Sequence, residues 1–198
     1  MLVQNLKKIE SIVVLSHYCG LYTPSDDDLD EELSGGSGIL RDLLVQLMAQ
    51  WKFGKLTSLD EDDVDLVKNK SASLNLKTLR RIFHNLIVGL PAGTPLFIII
   101  DNINYYETSE LRRETKKAIR EINQLLSVRK VKALVKIFVT AANRAFEIGD
   151  CFQDEDKIVV PAHPSGDKMG FADKRFELDF GTQIANLKRS SQQLDKPK

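Results

Sequence analysis

Residues 96–101, LFIIID, set five consecutive apolar side chains ahead of a single carboxylate. Successive side chains of a strand point to opposite faces, so a strand that is apolar at every position must be covered on both. That restricts the chain to an α/β architecture with a buried parallel sheet. It also puts Asp101 at a carboxyl edge of the sheet, the side on which open α/β sheets bind ligands. A carboxylate there can hold magnesium directly or through water, but such sites take their remaining ligands from nucleotide phosphates. The 198 residues contain no Gly-x-x-x-x-Gly-Lys-Ser or Thr stretch to grip those phosphates.

The neighbouring segments support the same architecture. Residues 12–19, IVVLSHYC, are β-branched and apolar and end at Gly20, which predicts a buried strand preceded by a helix end over 2–9. Ser37 is placed to cap a helix in which Ile39, Leu40, Leu43, Leu44, Leu47, Met48 and Trp51 recur every three or four residues. A second stripe of Leu76, Leu79, Ile82, Phe83, Leu86, Ile87 and Leu90 predicts another helix, stopped by Gly89 and Pro91 just before the Asp101 strand. A looser stripe over 111–126 predicts a third helix. The apolar run 134–139 predicts a strand, and 158–160 a short last one.

Charge and cysteine content exclude several functions. The 28 basic and 28 acidic residues cancel, so no overall field draws nucleic acid or anionic lipid to the protein. No apolar run approaches the roughly 20 residues that span a bilayer, and a cytoplasmic location is expected. Cys19 and Cys151 are too few for a disulfide framework and read as reduced thiols. The acidic runs 26–32 and 60–65 lack the alternating ligands, central Gly and closing Glu of a calcium loop and read as solvated loops. His17, His84 and His163 show no zinc spacing with cysteine, and a Gly-x-Ser-x-Gly nucleophile elbow is absent.

The remaining polar groups cluster at predicted strand ends: Ser16 and His17 before Gly20, Asp101 with Asn102, and Thr140 with Arg144 four residues on. Asp101 suits a metal carboxylate, and Asp-Asn equally suits a turn. Thr140 is placed to orient a water or a terminal phosphate. Arg144 is placed to neutralise phosphate charge, for which a guanidinium is well shaped. The run GGSG at 35–38 precedes a helix, but Ile39 and Leu40 stand where a phosphate loop needs Lys and Ser or Thr. It therefore reads as a flexible loop with a serine cap.

In this order the segments resemble the nucleotide-binding module of fungal NACHT-like proteins, in the STAND branch of P-loop NTPases. The resemblance rests on IVVLSHYCG at 12–20 as the strand after the phosphate loop, ILRDLLVQL at 39–47 as the helix that follows, and residues 96–107 as the Walker B segment. KIFVT at 136–140 with Arg144 corresponds to the sensor strand, IVVP at 158–161 to the last strand, and GFAD at 170–173 to the trailing loop, about 160 residues in all. It implies that Asp101 holds magnesium only together with nucleotide, that Thr140 and Arg144 face the nucleotide, and that Glu107 is the nearest substitute for a catalytic acid, because Asn102 follows Asp101. Mg-ATP or Mg-GTP is the cofactor implied for a complete module, and none for this portion by itself. Family members carry their phosphate loop shortly before the segment matching 2–9.

The expected fold is therefore α/β, a three-layer parallel sheet of P-loop NTPase type lacking the phosphate-loop strand. Residues 1–165 form the truncated module, 166–185 a trailing loop with an edge strand within 171–180, and 186–198 a disordered basic tail. The missing strand leaves a gap beside 134–139, to be filled by the 158–160 strand or by a partner chain, or left as an open edge. The expected activity is that of a degenerate module without intrinsic hydrolysis. The alternatives are a fragment of a larger switch whose phosphate loop lies upstream, and a scaffold that associates with itself or with another protein.

Overall fold

Three parallel strands carry the fold, and the computed structural model describes residues 2–7, 12–23, 33–52, 75–143, 145 and 147–160 of the chain. The acidic runs at 26–32 and 60–65, Arg144, His163, the edge strand expected within 171–180 and the tail at 186–198 lie outside the described residues. The chain divides into two compact units, 1–154 and 155–198. Among the described residues no helix is long and apolar enough to cross a membrane.

The elements of the first unit are α1 (Leu2–Lys7), β1 (Val13–Tyr18), α2 (Gly35–Gln50), α3 (Leu76–Val88), β2 (Pro95–Asp101), α4 (Arg112–Gln124) and β3 (Leu134–Val139). The sheet order is β1-β2-β3, with Leu15 opposite Ile98 and Ile98 opposite Ile137. Each connection holds at least one helix, as parallel neighbours require.

One face of the sheet packs on α2, α3 and α4. Val13, Leu15, Leu96, Ile98 and Ile100 join Leu40, Leu43, Leu44 and Leu47 of α2, Leu79, Ile82, Phe83 and Leu86 of α3, and Ile119 and Ile122 of α4 in a single core. The three predicted helical stripes are the faces that enter it. Asn75 caps α3 by accepting the Thr78 N–H at 2.9 Å. Against the other face, α1 packs on β1, and Val14, Phe97 and Ile99 are buried. Cover on that face does not extend over β3, where Leu134 is 45% and Phe138 44% exposed, so the expected layering is incomplete there.

The two sheet edges differ. Along β1, Gln46 takes the Ser16 N–H (3.0 Å) on its side-chain oxygen and gives its amide to the Ser16 carbonyl (2.7 Å), and Gln50 does the same for Val14 (3.1 and 2.8 Å). Two glutamines one helical turn apart thus stand in for a neighbouring strand. Along β3, Leu134 and Thr140 direct their N–H groups to β2, so Val135, Ile137 and Val139 turn theirs outward, and no residue of the strand is fully buried.

Two local expectations are corrected. Gly35-Gly36-Ser37-Gly38 is no flexible loop: it is the first turn of α2, which begins after Ser34, and Ser37 hydrogen-bonds Glu114 instead of capping. Glycine occurs here because backbones meet. A Cβ on Gly36 would lie 2.5 Å from the Glu114 carbonyl oxygen, and one on Gly38 would lie 2.0 Å from the Leu33 carbonyl carbon. Residues 158–160 form no strand. Ile158 and Val159 are 90% exposed and Val160 70%, so the run gains neither the ladder bonds nor the burial that would stabilise a strand.

Candidate functional site

Asp101 ends β2 and Thr140 follows β3, and the parallel register brings them side by side at the carboxyl edge. The Thr140 hydroxyl donates to Asp101 Oδ1 at 2.6 Å and accepts the Asn102 N–H at 2.9 Å. Asn102 has φ +58 and ψ +54, a left-handed conformation that asparagine tolerates, and it swings the chain out of β2 into a short 3-10 turn, Ile103–Tyr106. Asp101-Asn102 is therefore both a turn and a presented carboxylate.

That turn holds the loop after β3. Asn102 Oδ1 accepts the Ala142 N–H (3.3 Å), and Asn104 exchanges two bonds with the Asn143 backbone (3.2 and 3.3 Å). Glu107 extends the set, with Oε1 accepting the N–H groups of Glu147 and Ile148, each at 2.9 Å. A carboxylate engaged by two backbone donors is an anchor for the loop. The structure thus joins Asp101 to Thr140, and Glu107 to the backbone of residues 147 and 148. The Asn-x-Asn spacing of 102 and 104 was the sequence signal for this lacing.

Asp101 alone does not make a magnesium site. Magnesium takes six oxygens in octahedral array, and here one carboxylate is offered with Oδ1 already bonded to Thr140. Among the described residues no three His, Cys, Asp or Glu side chains gather to hold a metal. Asp101 fits the role of a single ligand to an ion brought in by a phosphate chain.

Beside the edge, burial and then the Asp101 charge push the Cys19 thiol up to about 12. Burial also raises the Cys151 thiol. Both are protonated at neutral pH and poor nucleophiles. In the folded protein Cys19 is expected to resist a disulfide reagent at pH 8, and both thiols to react once it is denatured. Because the native state holds the Cys19 proton more tightly than the unfolded chain, its contribution to stability is complete below about pH 9 and declines as pH climbs toward about 12. Cys19→Ala should flatten that decline, and identical alkaline slopes for the two proteins would refute the assignment.

His17 lies on the helical face of β1 and is fully buried. Its Nδ1 is 2.9 Å from Asp42 Oδ2, its Nε2 is 3.0 Å from the buried Tyr106 hydroxyl, and its ring stacks on Tyr22. A carboxylate only accepts, so Nδ1 carries a hydrogen, and the Tyr106 hydroxyl that meets Nε2 also lies within hydrogen-bond distance of the Tyr22 (3.3 Å) and Leu33 (3.4 Å) carbonyls. Asp42 Oδ1 also receives Gln46 Nε2 at 2.8 Å, so Asp42, Gln46 and Gln50, at a spacing of four, form one polar column along β1. His17 ties β1 to α2 and to the turn after β2, and does not face the carboxyl edge. No protein-family model, curated protein or solved structure matches this chain.

Proposed function

We propose that this chain is a degenerate NACHT-like P-loop NTPase module, or the portion of one that lies downstream of its phosphate loop, and that these residues by themselves do not turn over ATP or GTP. The observation that carries the proposal is the Thr140 hydroxyl bonded to Asp101 across adjacent parallel strands. A sensor hydroxyl next to a metal-binding carboxylate at a sheet's carboxyl edge is the arrangement expected of the Walker B and sensor strands. Against turnover stand the absence of a lysine-bearing glycine loop from the 198 residues and the engagement of Glu107 by the 147–148 backbone.

Phosphoryl transfer depends almost wholly on positioning and charge stabilisation, so loss of the loop that cradles the phosphates removes most of the catalysis. Titration with ATP and with GTP in the presence of magnesium should give neither micromolar binding nor phosphate release, and Asp101→Ala should leave both baselines unchanged. Micromolar affinity, or phosphate release abolished by Asp101→Ala, would overturn the proposal and favour a switch. A second reading, a scaffold for protein association, is supported by the open edge of β3.

A further inference from the structure

We infer that a second copy of this chain docks on the open edge of β3 through its segment around residues 154–160, added as a further strand. The edge itself specifies the visitor. The outward-turned N–H groups of Val135, Ile137 and Val139 meet no backbone partner among the described residues, and a cleft of about 220 Å³ lined by Leu126, Val128, Val131 and Val135 adjoins the start of the strand. Residues 125–139 carry four cations, Arg129, Lys130, Lys132 and Lys136, and no acid, and all four are exposed. The docking segment must then be extended, partly apolar and acidic.

The chain contains a segment of that composition, a 3-10 turn over Asp154–Asp156 followed by residues 157–160 outside any helix or strand, and docking would draw it out into a strand. Asp154, Glu155 and Asp156 precede Ile158, Val159 and Val160, whose side chains are almost wholly in solvent, and Pro161 closes the run. Its acids complement the cations beside β3, and its β-branched residues suit a strand and a shallow apolar cleft. The alternative of pairing β3 with the β3 of another copy sets cation against cation, which the same charges oppose. A surface meeting a different surface of the next copy is a heterologous contact, which closes into a ring or extends. The inference rests on the proposed reading in so far as a missing phosphate-loop strand leaves β3 at the edge, and the peptide titration and the ATP titration report on the two separately.

The test uses the full chain with a fluorescent peptide of residues 153–161, QDEDKIVVP, read by anisotropy. Saturable binding is expected. It should weaken by about tenfold or more, roughly 1.4 kcal/mol, for a peptide with lysine at the three acidic positions and for the exposed double variant Lys132→Glu/Lys136→Glu. Methylating the Val159 amide of the peptide should weaken it comparably if the backbone joins the ladder. Light scattering of the unlabelled protein should show an average mass rising above 22.4 kDa with concentration and falling back with salt. No binding at millimolar peptide, equal binding of the lysine or methylated peptide, or a constant 22.4 kDa at every concentration would each overturn the inference.

Discussion

Alanine at Gly38 is expected to destabilise the protein by about 3 kcal/mol or more, enough to remove a large part of the stability of an ordinary domain. In a typical exposed helix the same change stabilises by up to about 1 kcal/mol, because alanine loses less backbone entropy than glycine. The sign reverses here because the new methyl group would lie 2.0 Å from the Leu33 carbonyl carbon, where carbon atoms in contact stay near 3.5–4.0 Å. Backbone, not a pliable side chain, is in the way. Gly36→Ala should act similarly by forcing α2 off the Glu114 backbone of α4. Urea unfolding of the purified variants measures this directly, and a midpoint at or above that of the parent for Gly38→Ala would refute the close approach.

The second large effect is expected at the glutamine column. Gln46→Leu keeps the volume but strands the Ser16 N–H and carbonyl at a nearly buried position, at about 1–3 kcal/mol for each unpaired group. A net loss of about 2–4 kcal/mol follows. Gln50→Leu should lose less, because Gln50 is exposed and water replaces part of what it supplies to Val14. Amide hydrogen exchange adds a local readout: Ser16 should lose protection in Gln46→Leu well before residues of β2 do. Unchanged exchange at Ser16 would show that the edge is sealed by something else.

These two sites also show where the sequence was legible. The alternation of apolar runs and stripes located the three strands and three of the helices, because burial of a periodic face leaves its period in the chain. The pairing of Asp101 with Thr140 was foreseeable for the same reason, since strand ends in a parallel sheet converge on one edge. Gly35 to Gly38 misled because glycine signals both freedom and close contact, and only the partner backbone distinguishes them. Gln46 and Gln50 look like the solvent side of an amphipathic helix; their task appears only once β1 lies beside them. His17 and Glu107 are similar: each has a partner far along the chain, and no local pattern announces it. The exposed run at 158–160 carries strand propensity without a neighbour, and propensity alone does not make a ladder.

Fastening one margin of the sheet with glutamine amides while leaving the opposite margin bare gives it a valence of one. Newcomers that recognise peptide backbone find a vacancy beyond Val139 and a closed door beyond Val14. Sheets of two molecules cannot fuse flank to flank through the closed side. Among the described residues, backbone pairing is open to the sheet from a single direction.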